Sequence, residues 1–283
     1  ALLDAAPQAK VLSALRRGNV HGALVAGLTP RTTGALDTVA MLHAAADGSI
    51  DTLVLLGADP LADVPDRALV ERAFDGVDSI VAVDAFATAS TQRASVVLPA
   101  ALSGEVDGSF VNLEGRLSPL HAKVTAPGQA WSDWMIAVEV GAALGHDLDV
   151  VTLDEVRAHL SASNPTFADV DWAALSATGA TVAADGPLLA IDGHERPDFG
   201  DPVAPPSPDG YGLRLVVDRK LWDLGTLVQQ SSSLRDLPTP AEIHLSSSDF
   251  ESLGIDDGAV VTVEWPRGST TLAARRDPGL PRG

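Results

Sequence analysis

Between positions 20 and 99 short apolar runs alternate with longer stretches of helical spacing. GALVAG (22–27), TLVLLGADP (52–60), SIVAVDAFAT (79–88) and SVVLP (95–99) read as strands. TGALDTVAMLHAAADG (33–48) and PDRALVERAFDG (65–76) read as helices, with Pro65 at a start and Gly76 just past an end. A shorter helical piece fits before SVVLP. Near-continuous apolar strands separated by helices predict an α/β domain, a Rossmann-like parallel sheet covered on both faces.

WSDWMIAVEVGAALGH (131–146) follows as a helix capped near Ser132 or Asp133, and DEVRAHL starts another at Asp154. A Gly- and Pro-rich connector occupies 178–211, which makes 1–177 the α/β domain. Beyond it the spacing changes. GLRLVVDRKLWD, then EIHLSSSDFESLGIDDGAVVTVEWPRGSTTLAARRD, reads as short strands with tight turns at DDG and PRG. Val261, Val263 and Trp265 alternate with Thr262 and Glu264. A small β-barrel over 212–283, incomplete at its C-terminus, is the expectation.

Charge narrows the partners. The formal net charge is −19 over 283 residues, which argues against nucleic acid and against an anionic membrane face. No apolar stretch approaches the roughly 20 residues that span a bilayer, so no direct membrane insertion is expected. The first residue is not Met, which points to a fragment or a processed chain. Zero cysteines exclude disulfides and cysteine-ligated iron–sulfur clusters within these residues.

Catalytic signatures are missing. GxSxG, HExxH, the phosphate-binding GxxxxGK[ST] and a strand-following GxGxxG do not occur, and the seven histidines show no metal-ligand spacing. No catalytic residue and no metal ligand is therefore assigned. Asp59, Asp63 and Asp66 in GADPLADVPD invite a cation; capping of free backbone N–H groups at helix starts is the stronger reading.

An open α/β sheet still offers a crevice beyond the carboxyl ends of its strands. Those ends carry Gly57, Asp59, Asp84 and Thr88, which makes them the candidate cofactor-binding residues of a degenerate, empty pocket. A carboxylate there suits a ribose hydroxyl or a guanine edge, and Thr88 could cap toward a phosphate. Against a phosphate stands the local field: residues 20–110 hold four arginines, no lysine and twelve acidic residues.

Three blocks carry a resemblance. LVLLGADPLADVPD, DSIVAVDAFATASTQRASVVLPAALSGEVDGSFVNLEGR and APGQAWSDWMIAVEVGAALG together resemble the molybdopterin oxidoreductase superfamily. The tail HLSSSDFESLGIDDGAVVTVEWPRGS is similar to that superfamily's C-terminal dinucleotide-binding barrel. Within it, GNVHGALVAGLTPRTTGAL favours the branch of the large iron–sulfur subunit of NADH-quinone oxidoreductase, respiratory complex I. LWDLGTLVQQSSSLRDL favours it too, with Asp223, Leu224 and Gln229 where molybdenum enzymes usually carry a His- and Thr-rich segment.

The resemblance implies a structural, non-catalytic region of that subunit. Iron–sulfur clusters would lie upstream and the molybdopterin would be lost. The partners would be other hydrophilic-arm subunits, at the cytoplasmic face of the cell membrane. In this reading the GEVDGSFVNLEGR loop (104–116) survives for packing, through Phe110, Val111 and Leu113, with a local Glu114–Arg116 ion pair. Two other readings stay open: a fragment of a pterin-binding oxidoreductase of formate dehydrogenase or nitrate reductase type, and a separate nucleotide-binding module.

Overall fold

A computed structural model describes residues 18–28, 34–176, 178–182, 212–218, 225–265 and 268–283. They fall in two compact units, 1–193 and 194–283.

In the first unit, helix α1 (Val20–Ala26) precedes α2 (Thr38–Ala46) and strand β1 (Thr52–Leu56). Helices α3 (Pro60–Asp63) and α4 (Arg67–Gly76) lead to β2 (Ser79–Asp84), and a 3-10 turn (Thr91–Arg93) leads to β3 (Val96–Pro99). The three strands form one parallel sheet in chain order, with Leu56 opposite Val83 and Asp84 opposite Pro99. Asp37 caps α2 by accepting from the Ala40 N–H at 2.8 Å, and Asp66 caps α4 by accepting from Leu69 at 3.0 Å.

On α4 the buried residues Leu69, Val70, Ala73 and Phe74 follow helical spacing and pack with Leu42 and Ala45 of α2 on Leu53, Leu55, Ile80 and Ala82. Both helices thus lie on one face of the sheet. Gly76 is the last residue of α4 rather than the residue after it, because the two helices meet there. A Cβ on Gly76 would collide with the Ala45 carbonyl oxygen.

Two expectations give way here. GALVAG is not a strand: it lies in α1, which docks on a hairpin further along the chain instead of joining the sheet. Asn19 Oδ1 accepts from the Val111 N–H at 2.9 Å, His21 Nδ1 meets the Asn112 carbonyl at 2.6 Å, and Val25 packs on the cluster of Val111, Leu117 and Phe167. Nor do the described residues cover both faces of the parallel sheet in full: Val54 and Leu56 of β1 and Val96 and Val97 of β3 stand exposed.

The GEVDGSFVNLEGR stretch is a hairpin, not an open loop. Strands β4 (Gly108–Val111) and β5 (Arg116–Leu120) pair antiparallel, and the short β6 (Ala180–Thr181) adds to β5. Asn112 Oδ1 closes the turn by accepting from the Glu114 and Arg116 N–H groups, each at 2.9 Å. Val111 is buried with Leu117, whereas Phe110 is partly exposed. Arg116 reaches the Thr178 carbonyl at 2.7 Å, in place of the expected pairing with Glu114.

Helices α5 (Asp133–Ala143) and α6 (Leu153–Ser163) complete this unit. Ser132 is the N-cap residue of α5 but makes no capping bond; α6 carries a full capping box between Thr152 and Glu155.

In the second unit, α7 (Thr226–Gln230) precedes β7 (Glu242–Leu245), α8 (Ser247–Leu253), β8 (Val260–Trp265) and β9 (Gly268–Arg276). The sheet order is β7-β9-β8, with β7 parallel and β8 antiparallel to β9. The described residues form this open sheet rather than a closed barrel. LSSSDFESLG, which reads as part of a strand-rich run, is helical at α8, since Ser246 accepts from the Asp249 N–H and Gly254 ends it in the left-handed region. Residues 212–218 form no strand. Most of the connector (183–211), Asp223 and Leu224, and Pro266 and Arg267 of the PRG turn lie outside the described residues; Gln229 lies in α7.

Candidate crevice at the carboxyl edge of the parallel sheet

The carboxyl edge begins where β1 ends. Gly57 continues the ladder by donating its N–H to the Val83 carbonyl at 2.8 Å, then leaves the sheet at φ +56°, a left-handed turn that favours glycine. One strand over, Asp84 closes β2. Its backbone carbonyl accepts from Ala100 at 3.0 Å, and its carboxylate Oδ1 accepts from the Phe86 N–H at 3.0 Å.

A single parallel bridge between Ala100 and Trp131 extends this edge. Ala101 donates to the Trp131 carbonyl at 2.8 Å and Trp131 to the Pro99 carbonyl at 3.1 Å. That bridge fixes the start of α5 beside the end of β2 and brings Asp133 near Asp84. The surrounding protein mass, and then the Asp84 charge, hold the Asp133 carboxyl above its ordinary pKa. In the sequence Asp133 reads only as a possible cap. Nothing local in WSDWMI shows that this helix starts against a second carboxylate.

Asp59 and Thr88 belong to a different arrangement. Asp59 does not cap α3; its carboxylate accepts from the Ser90 N–H at 3.2 Å and from the Ser90 hydroxyl, while Ser90 Oγ in turn accepts from the Leu61 N–H at 3.1 Å. Ser90 is fully buried. Thr88 is buried as well and pairs reciprocally with Thr91: each hydroxyl accepts from the other's N–H, at 2.7 and 3.2 Å. Gly57 and Asp84 therefore share the sheet edge, whereas Asp59 ties the turn after β1 to the loop after β2 and Thr88 closes that loop on itself.

The chemistry on offer is narrow. Asp84 and Asp133 bring two carboxylates near each other at this edge, chemistry suited to hydroxyl or amino donors. Three donors of these loops are engaged internally: Phe86 by Asp84, Ser90 by Asp59, and Thr88 by Thr91. A pyrophosphate brought to these residues meets acids and occupied N–H groups, so a pterin dinucleotide's charged link does not fit this set. Among the described residues no three His, Asp or Glu side chains are grouped to hold a metal ion, and no helix is long and apolar enough to cross a membrane.

Comparison with known proteins shows what this chain is similar to. Residues 8–143 match the family model described as molybdopterin oxidoreductase. The chain is 31% identical over 255 residues to a subunit of NADH-quinone oxidoreductase from Rhizobium meliloti (strain 1021), across 90% of this chain and 29% of that protein. It is 27% identical over 258 residues to the F420-dependent formate dehydrogenase 1 subunit alpha of Methanococcus maripaludis, across 85% of this chain and 38% of that protein. Acetylene hydratase from Pelobacter acetylenicus shares the fold at a TM-score of 0.61 and 18% identity, over 88% of this chain and 39% of that one. The chain thus spans well under half the length of each of these relatives. Residues 8–143 are therefore similar to the molybdopterin oxidoreductase family.

Proposed function

We propose that this chain is a member of the molybdopterin oxidoreductase family and belongs to a structural, non-catalytic region of the large iron–sulfur subunit of an NADH-quinone oxidoreductase. The complete assembly would pass electrons from NADH through iron–sulfur clusters to quinone. The clusters would be held by cysteines outside this chain, which has none. Its partners would be other hydrophilic-arm subunits, in a peripheral arm at the cytoplasmic face of the membrane.

One observation carries the reading. The carboxyl edge of the sheet, where the fold would seat a dinucleotide, brings Asp84 and Asp133 near each other, and three of its loop donors are engaged by the protein itself. The similarity to the Rhizobium meliloti protein, across 90% of the chain, supports the choice of branch.

A second reading has its own support. The match to the Methanococcus maripaludis formate dehydrogenase subunit also covers 85% of the chain. In that case the domain would be part of a pterin-dependent oxidoreductase, with the cofactor held across Gly57, Asp59, Asp84 and Thr88. Metal analysis and acid-oxidised pterin fluorescence on the purified protein separate the two. Neither molybdenum, tungsten nor pterin is expected; a stoichiometric pterin would overturn the structural reading in favour of the second.

A further inference from the structure

An open cavity of about 370 Å³ lies in the first unit, between the loop after β3 and the starts of α5 and α6. That volume falls in the range of small-molecule sites. None of Gly57, Asp59, Asp84 and Thr88 lines it. Trp131, Trp134 and Met135 form its aromatic and apolar side, and Glu105, Asp107 and Ser132 supply its polar groups.

Short-range contacts build it. Trp134 and Met135 stand three and four positions after Trp131, the spacing that brings side chains to one side of a helix. Ala101 donates to the Trp131 carbonyl at 2.8 Å, which ties the loop to the start of α5. Within the loop Glu105 and Leu102 pair twice. The Glu105 N–H donates to the Leu102 carbonyl, and the Leu102 N–H donates to Glu105 Oε2, each at 2.8 Å. A half-buried carboxylate is thereby fixed in the wall. Ser132 makes no capping bond, so its hydroxyl is not spent on α5.

Charge selects the ligand's sign. Glu105 and Asp107 bring two full negative charges, against about half a positive charge at the start of α5. No Lys, Arg or His is among the described residues that line the cavity. His121 Nδ1 lies 3.4 Å from Asp107 Oδ1, which leaves Glu105 as the less encumbered acid. Indole rings attract cations through their quadrupole, and more strongly where water is partly excluded. We infer that this cavity is a binding site for a small organic ammonium ion. The charged group sits among Glu105 and the indoles of Trp131 and Trp134, with the alkyl body against Met135. This site does not depend on the proposed role in an NADH-quinone oxidoreductase.

Butylammonium is the probe and 1-butanol its neutral counterpart, titrated into the isotope-labelled chain and followed by NMR. The chain has five tryptophans, and Trp131→Phe and Trp134→Phe assign two of the indole N–H signals. Butylammonium should shift those two saturably, with a Kd on the order of millimolar and at least about tenfold below that of 1-butanol. Glu105→Gln keeps an oxygen for the Leu102 N–H and removes the charge. It should weaken butylammonium about tenfold and leave 1-butanol unchanged. Should that variant fail to fold, Trp131→Leu, at a position 45% exposed, should weaken butylammonium more than 1-butanol.

Absence of a saturable shift up to about 0.1 M butylammonium would overturn the proposal, as would equal affinity for the two probes. So would a folded Glu105→Gln chain that binds butylammonium as the parent does. Equal shifts at every tryptophan signal would overturn it as well, since a general salt effect does not choose a cavity. A lysine in a capped tripeptide is the last arm. Binding as tight as butylammonium assigns the ammonium group to a partner protein's side chain, and weaker binding assigns it to a free amine; both support the site.

Discussion

Asp133, in the first turn of α5, stands close enough to Asp84 at the end of β2 for the Asp84 charge to oppose its ionisation. A helix N-terminus ordinarily welcomes a carboxylate. Here the surrounding protein mass and the facing acid outweigh that benefit. The folded carboxyl binds its proton more tightly than in the unfolded chain, so its favourable contribution is complete below the ordinary carboxylate range. That contribution is lost as pH rises through the raised folded value.

Asp133→Asn should therefore stabilise the protein at pH 7. The side chain keeps solvent contact, so the gain is under about 1 kcal/mol. The gain should shrink to nothing by about pH 3, where both forms are neutral. Thermal melts of both proteins at the two pH values test this, and a variant less stable at pH 7 would contradict it.

Gly76→Ala places a methyl group against the Ala45 carbonyl at the meeting of α2 and α4. Alanine is the better helix former, so propensity alone predicts a gain. The clash with backbone should prevail, with a loss of about 1–3 kcal/mol. Urea unfolding should show a lower midpoint with an unchanged slope.

Ser90→Ala removes the hydroxyl between Asp59 and Leu61. The buried Leu61 N–H then lacks its partner, and Asp59 keeps only the Ser90 N–H among these contacts. A loss of about 1–3 kcal/mol is expected from the unpaired buried donor. Ser90→Thr keeps the hydroxyl and should retain more of that stability if the extra methyl is accommodated. Chemical denaturation of the two variants side by side measures the difference.

Thr152→Ala deletes half of the capping box at the start of α6 and should cost about 0.5–2 kcal/mol. The other half titrates. The Val151 and Thr152 N–H groups hold Glu155 below its ordinary pKa, so its support is present above the ordinary carboxylate range and is lost as pH falls through the lowered folded value. Amide exchange along α6 should accelerate in the variant at neutral pH, and in the parent protein on acidification.

Much of the first unit was legible because parallel strands announce themselves as apolar runs: Thr52–Leu56, Ser79–Asp84 and Val96–Pro99 all fall inside the expected segments. Topology also put Gly57 and Asp84 at one sheet edge. GALVAG misled because a short apolar run has no period long enough to separate a strand from a helix. Asn19 and His21 decide it, through partners far along the chain. Asp133 and the Ser90–Asp59 contact were equally hidden, since each depends on which loops meet beyond the sheet. That Val54 is exposed and Leu53 buried could not be read at all: the two are alike in sequence, and only the placement of α2 and α4 on Leu53 tells them apart.

The contacts from α1 to the hairpin span 92 positions for Asn19 and 91 for His21. A clasp made from so far away is entropically slow to close, because the intervening chain must first be gathered. The β1–β3 layer and the hairpin can each assemble from nearer neighbours, so the fastening of α1 is the natural last event of refolding. The turn just after β4 sits next to that fastener, and weakening it at Asn19 would loosen that turn from a position far back along the chain.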